Sequence, residues 1–530
     1  MSFPRVLPLG DAAVTVELGD RLDAATNALV RALDRDLAAA PFDGLRESVP
    51  THRSLLVLHE PGLRFAALAR ELLGRVGRPG PAPPPGRRHE VPTVYGGEQG
   101  PDLAPLAQAL GLAEHELVRL HAAREYTAFM LGFTPGFAYL GLLPPALEAP
   151  RHATPRERVP AGSVALAGRQ TGIYPAPSPG GWQIIGRSAL ALFDPRRAEP
   201  ALFAPGDSVR FLPVPELAGC DPASGGGSAA QDGTGSVEVL EPGLLSTVQD
   251  AGRAGWRRIG VGGAGAADAR ALLQANEALG NPPSAAALEC LIGGPSLLFH
   301  APTFFALAGA DLGALLERSD LGPWPVPLGA AVLARPGNVL RFFGRRSGCR
   351  AILALQGGID VPVVLGSRST DLRSAFGGLA GRGLAAGDRI ALRPAAGAGR
   401  GRESKPATAA ARPTLRVVLG PQAENLERES IELFLATTWR VGPSSDRVGC
   451  RLEGPRLRHR GPAEILSDGM VPGSIQVPPD GRPIVMLADA PTTGGYPKLG
   501  TVLSADLPEL AQLVPGEGEL RFDAVPVEDL

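Results

Sequence analysis

The sequence predicts a mainly β protein with a small α/β unit at its N-terminus and β-barrels in tandem. Gly and Pro are frequent, with 69 and 54 residues among 530, while 44% of the residues are hydrophobic. This combination is typical of folded domains with many short strands and turns. In addition, a set of Gly-containing motifs recurs in two distant parts of the chain. At about 150 residues per domain, the length predicts three or four domains.

The α/β unit is expected at 1–78. Residues 12–18, AAVTVEL, alternate like a strand, and residues 54–58, SLLVL, are typical of a buried strand. Asp23 precedes a stretch with apolar residues at helical spacing, which predicts that its side chain caps a helix. A Pro-rich tract at 78–89 then predicts a stiff linker.

An internal repeat predicts that residues 90–215 and 413–525 are two copies of one β unit. Three motifs recur in the same order, 310 to 314 residues apart: VPAGSV (159–164) with VPGSI (471–475), PSPGGWQIIG (177–186) with PTTGGYPKLG (491–500), and PGDSVRF (205–211) with PGEGELRF (515–522). Gly permits each turn, and the alternating strand that follows suits the closure of a barrel.

A further β domain is expected at 237–394. Its last part, AAGDRIAL at 385–392, resembles the closing turn and strand of the repeat, so we expect a third, more divergent copy. Gly- and Ser-rich residues at 219–236 predict a linker, and 395–412 predict a second linker or a long exposed loop.

Composition excludes several classes of protein. The net charge of −2 argues against nucleic acid or an anionic membrane as partner. No apolar run approaches the roughly 18 residues of a membrane span, and the N-terminus lacks signal-peptide features. The four Cys residues are dispersed without a CxxC motif, so neither a metal site nor a disulfide framework is predicted. We therefore expect a cytoplasmic protein.

The segment between residues 121 and 187 is dense in Gly, Pro and aromatic residues. Gly-Gly pairs allow backbone N–H groups to approach a ligand closely, although they also suit barrel corners. His121 is a candidate catalytic residue, with a core histidine as the alternative, because it shares a helix face with apolar residues. The candidate binding residues are Arg156, Gln170, Tyr174, Gly180 and Gly181.

A second candidate region lies in the C-terminal half. SSDRVG at 444–449 sets three polar side chains side by side, and ADAPTTGGYPKLG at 488–500 combines hydroxyls, a Gly pair and a Lys. Such groups could hold an oxyanion or a phosphate, although a polar β-turn is the alternative. The candidate residues are Ser445, Asp446, Arg447, Gln476, Asp489, Thr492, Thr493, Gly494, Gly495, Tyr496 and Lys498, with Asp446 and Lys498 as candidate catalytic residues.

Lys498 is unusual because only it and Lys405 are Lys among 52 basic residues. A general need for positive charge is met by Arg elsewhere in the chain. A compact ammonium on an oxyanion is harder to replace with a planar guanidinium, so the sequence favours a functional role for Lys498.

Several catalytic motifs are absent from the sequence. It contains no GxxxxGK[ST] loop, no HExxH motif, no EF-hand loop and no nucleophile elbow. No Lys lies between two Met residues, so we expect no biotin on this chain.

The motifs resemble a pair of known families. THRSLLV at 51–57, GFTPGFAYLG at 132–141 and QTGIYP at 170–175 resemble the 5-oxoprolinase B family, also called allophanate hydrolase subunit 1 or the Kip inhibitor family. LQGGIDVPVVLGSRST at 355–370 and TTGGYPKLG at 492–500 resemble the 5-oxoprolinase C family, also called allophanate hydrolase subunit 2, the Kip antagonist or the biotin-dependent carboxyltransferase family. The resemblance covers almost the whole chain and indicates a fusion of B and C.

Three positions depart from the family pattern. His52 and Ala267 stand where the family usually has Tyr and Met, and Pro491 stands where Gln is frequent. The change at Pro491 weakens any role for a side-chain amide in the 488–500 segment.

The resemblance implies tandem cyclophilin-like β-barrels and an ATP-dependent lactam hydrolase. In that reaction, 5-oxo-L-proline is opened to L-glutamate with ATP and Mg²⁺, which the complex shares with a separate 5-oxoprolinase A protein. The lactam oxygen would be phosphorylated, water would add, and the ring C–N bond would break.

Two other functions remain open from the sequence. One is a carboxyltransferase that acts on urea or another amide with biotin on a separate carrier. The other is a Kip-type regulator that binds a sensor kinase without catalysis. A homo-oligomer is also left open.

Overall fold

The computed structural model describes residues 3–78, 86–152, 154–217, 236–395 and 413–530. Almost all of the two linkers predicted from composition (residues 219–235 and 396–412), and most of the Pro-rich tract, lie outside these ranges. Within them, no helix has the length and apolar character needed to cross a membrane.

The N-terminal unit is an antiparallel four-stranded sheet, in the order β1-β2-β4-β3, with two helices. Its elements are β1 (Arg5–Pro8), β2 (Ala13–Glu17), α1 (Ala24–Ala39), β3 (Leu45–Pro50), β4 (Ser54–His59) and α2 (Phe65–Arg75). The Asp23 carboxylate accepts a hydrogen bond from Thr26 N at 2.8 Å, which confirms the predicted helix cap. Apolar residues of both helices pack on the sheet to form one core.

The first barrel closes with seven strands in the order β10-β7-β6-β13-β5-β12-β9. Two further strands, β8 and β11, form a separate ribbon beside it. The elements of this region are β5 (Arg88–Tyr95), α3 (Leu103–Ala109), α4 (Glu114–Ala122), β6 (Glu125–Leu131), β7 (Ala138–Gly141), β8 (Arg156–Val159), β9 (Ser163–Ala167), β10 (Gln170–Ile173), β11 (Ser178–Gly180), β12 (Gln183–Arg187) and β13 (Ser208–Pro213).

The middle region contains a six-stranded and a five-stranded sheet that share one apolar core. The elements are β14 (Val237–Glu241), β15 (Leu245–Gln249), α5 (Ala269–Leu279), β16 (Ala287–Leu291), β17 (Ser296–Phe299), β18 (Thr303–Asp311), β19 (Ala314–Glu317), β20 (Trp324–Pro325), β21 (Val332–Ala334), β22 (Val339–Phe342), β23 (Ser347–Leu355) and β24 (Arg389–Ile390).

The expectation of a third copy of the repeat in this region was wrong. The predicted closing strand does form, as β24, but it pairs antiparallel with β14. In the first barrel the corresponding first and last strands, β5 and β13, pair parallel. The similarity of AAGDRIAL to the repeat was therefore local, because a Gly turn followed by an alternating strand occurs in more than one topology.

The second barrel also closes with seven strands, in the order β25-β32-β29-β30-β27-β26-β33. Its elements are β25 (Thr414–Leu419), α6 (Arg428–Ala436), β26 (Trp439–Val441), β27 (Gly449–Glu453), β28 (Asp468–Gly469), β29 (Ser474–Gln476), β30 (Ile484–Met486), β31 (Thr493–Gly494), β32 (Lys498–Val502), α7 (Leu507–Ala511) and β33 (Glu519–Ala524). Trp439 and Phe434 lie in its core.

The two barrels have one topology, which confirms the repeat. When their seven strands are matched in chain order, from β5 with β25 to β13 with β33, the neighbours around the two barrels are the same. The first and last strands pair parallel in both. The β8–β11 ribbon corresponds to the β28–β31 ribbon, so Gly180 and Gly494 end equivalent strands.

Candidate functional site

Buried polar side chains from both halves of the chain meet between the two barrels. Phe133 N, after β6, donates a hydrogen bond to Thr493 Oγ1 in β31 at 2.9 Å. Ser54 Oγ, in β4, donates to Asp468 Oδ1 in β28 at 2.5 Å. We call this region the junction, and we define it by His52, Ser54, Tyr139, Asp468, Thr493 and Lys498.

An ion pair between Lys498 and Asp468 lies at the centre of the junction. Lys498 is 0% exposed, and its Nζ is 3.2 Å from Asp468 Oδ2. The Gln422 amide donates to the same oxygen at 3.1 Å. Burial alone would raise the pKa of Asp468, but Lys498, Arg53 and hydrogen bonds from Ser54 and the Gly469 backbone hold it at about 2. The carboxylate is therefore charged at neutral pH and engages the ammonium.

A neutral histidine lies beside this pair. His52 is fully buried, and the Gln170 amide nitrogen is 2.9 Å from His52 Nε2, to which it donates. Burial lowers the pKa of His52 to about 3, so the ring is uncharged at neutral pH. The ring packs edge-on against Tyr139, with 5.3 Å between centroids.

Tyr139 supplies a protonated hydroxyl at the junction. Burial raises the pKa of the Tyr139 hydroxyl, and hydrogen bonding with the Ser467 and Thr493 side chains lowers it again in part. The rings of Phe137 and Trp182 pack edge-on against Tyr139 at 4.8 and 5.8 Å. The aromatic residues of the sequence motifs therefore fix the orientation of a hydrogen-bond donor.

Side chains pack directly on the predicted Gly pairs. A Cβ atom added at Gly180 would overlap the Tyr174 hydroxyl, and one added at Gly494 would overlap the Gln476 amide. Beside Gly495, a Cβ would lie 3.7 Å from Arg151 Nη1. The oxygen of Gly181 accepts a hydrogen bond from His152 N at 2.8 Å. In this structure, the absent side chains make room for neighbouring polar groups.

A narrow cleft of about 10 Å³, roughly the space of one water molecule, lies next to the junction and is lined by both halves of the chain, including Phe133, Asp371, Arg373, Asp489 and Pro491. The Arg373 guanidinium lies over the Phe133 ring, 4.9 Å from its centroid. No carboxylate within the described residues forms an ion pair with it. Burial lowers the pKa of Arg373, yet a guanidinium stays protonated in proteins. The nearby carboxylates of Asp371 and Asp446 favour the charged form of Arg373, and Asp371 also lines the cleft.

Arg447 links the second barrel to the middle region. It is 6% exposed, and it binds Asp489 through two nitrogens at 2.8 and 2.9 Å. It also pairs with Glu289 and donates to Gly265 O at 2.7 Å. Burial would lower the pKa of Arg447, but Asp489 and Glu289 raise it above its ordinary value. Its charge is therefore already matched, as is that of Asp489.

Several predicted residues lie outside the junction. His121 is fully buried in the first barrel, with Tyr95 Oη at 2.7 Å and Thr171 Oγ1 at 3.0 Å, and burial lowers its pKa to about 3. These contacts match the alternative of a core histidine. Arg156 binds Asp102 at 2.7 and 2.9 Å. The exposed Asp446 accepts hydrogen bonds from two backbone N–H groups of its own turn.

Three more predicted residues, Ser445, Thr492 and Tyr496, contact no group outside their own barrel in the hydrogen bonds of the described residues. Ser445 Oγ accepts a hydrogen bond from Arg451 N in the same turn as Asp446. Thr492 is buried, and its hydroxyl has no partner among the described residues. Tyr496 is half-buried, and its backbone oxygen accepts from the Gln476 amide at 3.4 Å. Of the predicted catalytic residues, only Lys498 lies at the junction.

The junction also contains residues that the sequence interpretation did not select: His52, Ser54, Tyr139, Asp468 and, beside the cleft, Arg373. His52 and Ser54 belong to THRSLLV and Tyr139 to GFTPGFAYLG. The sequence analysis identified these segments as motifs but did not identify the individual residues. Asp468 lies in SDGM, which has no distinctive pattern. Arg373 is one of 50 Arg residues, and only its position beside the cleft distinguishes it.

Comparison with known proteins places both halves in one family. The family described as "Carboxyltransferase domain, subdomain C and D" matches residues 4–203, and "Carboxyltransferase domain, subdomain A and B" matches residues 259–524. The 5-oxoprolinase B protein of Escherichia coli O157:H7 is 44% identical over 217 residues, which are 41% of this chain and 99% of the relative. The 5-oxoprolinase C protein of Escherichia coli K12 is 37% identical over 287 residues, which are 53% of this chain and 89% of the relative.

A solved structure is similar over nearly the whole chain. The crystal structure of TTHA0988 aligns with a TM-score of 0.85 at 36% identity, covering 96% of this chain and 99% of that one. The fold, the tandem barrels and the order of the two halves are therefore shared with a known protein. The chain belongs to the carboxyltransferase-domain family, as a single chain whose first half is similar to 5-oxoprolinase B and whose second half is similar to 5-oxoprolinase C.

Proposed function

We propose that this chain is the B/C component of an ATP-dependent 5-oxoprolinase, which opens 5-oxo-L-proline to L-glutamate together with a separate 5-oxoprolinase A protein. The observation that carries this proposal is the junction, where Ser54 and Tyr139 of the B-like half meet Asp468, Thr493 and Lys498 of the C-like half. A site built from both halves requires that the two halves lie together, either as separate proteins, as in the relatives, or on one chain. The names of the relatives supply the reaction.

The cleft beside the junction has to widen to admit a small lactam that carries a carboxylate, because its volume of about 10 Å³ is that of roughly one water molecule. Arg373 faces the cleft without a carboxylate partner among the described residues, and a guanidinium binds carboxylates through paired hydrogen bonds. Phe133, Pro135 and Ala264 provide apolar walls for the ring. We therefore assign the carboxylate of the substrate to Arg373.

None of the six residues that define the junction lines the cleft in this structure. We propose that the cleft opens onto the junction when substrate binds, and that the junction then stabilises charge that develops on the lactam oxygen. A lactam is a stabilised amide, and ATP would supply the phosphoryl group that makes its oxygen a leaving group. The Tyr139 hydroxyl keeps its proton at neutral pH and is held by aromatic packing, so it is a preorganised donor. The Lys498–Asp468 pair, held by Ser54 and Gln422, fixes a strong local field without access to water.

The described residues do not offer an evident site for Mg²⁺ at the junction. They contain no group of three His, Cys, Asp or Glu side chains arranged to hold a metal ion. Asp468 is paired with Lys498 and Asp489 with Arg447. Asp371, which also lines the cleft, accepts a hydrogen bond from Ser374 N. We therefore assign no metal-dependent step to this chain.

A second candidate function is carboxyl transfer to an amide such as urea, with biotin on a separate carrier protein. The family description, which names a carboxyltransferase domain, favours it. Both reactions need a polarised amide carbonyl, so the junction suits either one. They differ in the second substrate, which is ATP in the hydrolase and a carboxylated biotin carrier in the transferase.

Reconstitution tests the proposal. The purified chain is mixed with a 5-oxoprolinase A-type partner, 5-oxo-L-proline, ATP and Mg²⁺, and glutamate and phosphate are measured. We expect both products in equal amounts, with none when the partner or ATP is omitted. Full turnover by the chain alone would contradict the need for a partner. Carboxylation of an amide by a carboxybiotin carrier, without glutamate release in the first assay, would favour the second function instead.

A further inference from the structure

A second, larger cleft lies apart from the junction and is lined by four arginines. It has a volume of about 810 Å³ and lies between helix α1, the 198–207 loop of the first barrel and residues 256–259 of the C-like half. The four are Arg31, Arg35, Arg87 and Arg258. None of the residues that define the junction lines this cleft.

Two of the four arginines are paired with carboxylates in the wall of the cleft. Arg258 binds Asp34 at 2.6 Å, and Arg87 binds Glu199 at 2.5 Å and Asp207 at 3.4 Å. These pairs use all three acidic residues that line the cleft. Arg31 and Arg35 are left without a carboxylate partner among the described residues, so the cleft carries an uncompensated positive charge.

Arg31 and Arg35 also repel each other, since they lie one turn apart on α1. Arg31 donates only to the Asn27 side-chain oxygen, at 3.1 Å, and Arg35 Nε is buried without a hydrogen-bond partner in the described part of the chain. Burial, together with the charge of Arg35, lowers the pKa of Arg31. Arg35 Nε itself is not accessible from the cleft, but an anion bound between the two guanidinium groups would offset their mutual repulsion.

The groups that line the cleft indicate the chemical class of anion that it would bind. Gly206 has φ +100°, and a Cβ atom there would overlap the Arg31 guanidinium, so the bare backbone allows Arg31 to lie against the loop. The half-buried indole of Trp256 forms part of another wall. Guanidinium groups bind phosphate through paired hydrogen bonds, and an aromatic face stacks on a planar base. The volume lies within the range of small-molecule sites.

We propose that this cleft binds a phosphate-bearing small molecule of nucleotide size, with Arg31 and Arg35 on the phosphates. The site is separate from the junction and does not depend on the reaction proposed above. Binding is measured with the chain alone, so a negative result here leaves the proposed lactam hydrolysis untouched.

Calorimetric titration of the full chain with ATP, tripolyphosphate and adenosine, in EDTA, tests the proposal. We expect ATP and tripolyphosphate to bind and adenosine not to bind. The Arg31→Gln/Arg35→Gln variant should lose at least about tenfold in affinity for both anions, since charge-assisted hydrogen bonds are lost. Tighter binding of ATP than of tripolyphosphate identifies a nucleotide as the ligand, whereas equal binding identifies the phosphate chain as the recognised part.

A matched control removes the same charge elsewhere. Arg21→Gln/Arg428→Gln changes two highly exposed arginines, with 81% and 87% of their side chains exposed, and should bind as the wild type does. Arg35→Gln alone removes no observed hydrogen bond and gives the same readout if the double variant folds poorly. The proposal is overturned if neither anion binds to the wild type, if the cleft variants bind as tightly as the wild type, or if the control loses as much affinity.

Discussion

Lys498 shows how a rare residue in a sequence can indicate a candidate site before its partner is known. Lys is scarce in this chain, since 50 of the 52 basic residues are Arg, and this scarcity drew attention to Lys498. The structure adds what the sequence could not: Asp468, 30 positions earlier, holds the ammonium at 3.2 Å in a region without solvent. A compact ammonium fits this position, where a guanidinium would need more room and more acceptors.

Removing the ammonium should leave a buried, unpaired carboxylate. We expect Lys498→Met to lower the free energy of unfolding by about 3–5 kcal/mol, because a buried ion pair that loses one partner keeps the desolvation cost of the other. Lys498→Met/Asp468→Asn should recover much of this loss, since the remaining amide is neutral. Urea unfolding of the three proteins measures both changes. A single variant as stable as the wild type would show that Asp468 does not need its partner.

Two buried histidines should make stability depend on pH. Burial holds the pKa of His52 and of His121 at about 3, compared with 6.5 for an ordinary histidine. Between these pH values the two histidines bind protons in the unfolded chain but not in the folded chain. Their contribution to the free energy of unfolding therefore falls as pH decreases from about 6.5 towards 3, and it is constant above that range. The Asp468 carboxylate, with its pKa held at about 2, adds a loss that begins below about pH 4.

The slope of this pH dependence isolates one histidine. Near pH 5, each such histidine makes the free energy of unfolding depend on pH with a slope of about 1.4 kcal/mol per pH unit, because the chain takes up one proton on unfolding. The slope of the His121→Gln variant should therefore be smaller than that of the wild type by about this amount. Urea unfolding between pH 4.5 and 7.5 gives the slope. An unchanged slope would mean that His121 is protonated in the folded protein.

At the scale of secondary-structure elements, the sequence predicted the repeated barrel but not which of its strands carry the residues of the candidate site. Gly turns and alternating strands are local patterns, so the sequence revealed both barrels and the equivalence of Gly180 and Gly494. Local patterns also misled, since AAGDRIAL has the closing pattern in a region with another topology. The β28–β31 ribbon, which carries Asp468 and Thr493, has two-residue strands that leave no periodic signal.

The ribbon glycines should tolerate no side chain. Gly180→Ala would place a methyl group against the hydroxyl of Tyr174, a 2% exposed side chain that cannot easily move. We expect a loss of about 1–3 kcal/mol in unfolding free energy, as for other overpacked sites. Gly461→Ala is the control, because nothing lies within 4 Å of its added Cβ. Equal stability of the two variants would show that the contact at Gly180 relaxes without cost.

For the molecule as a whole, the candidate site forms only because distant segments meet. Ser54 and Asp468 are 414 positions apart, and Phe133 and Thr493 are 360 apart. No periodicity within one sequence reports such contacts, so the sequence predicted the segments and missed His52, Tyr139, Asp468 and Arg373. Resemblance to two families predicted that the chain is a fusion of two halves, and the junction shows where buried side chains of the two halves are in contact.

The contribution of both halves to one reaction is tested most directly by the kcat for glutamate release with the 5-oxoprolinase A-type partner. Tyr139→Phe, in the first half, and Asp468→Asn, in the second, should each lower kcat by about 10²-fold, as the loss of a preorganised donor or its support does. Tyr95→Phe, which removes a buried hydroxyl from His121 inside the first barrel, should keep the wild-type kcat. If Tyr139→Phe and Asp468→Asn also keep it while folded, the junction is not the site of the reaction.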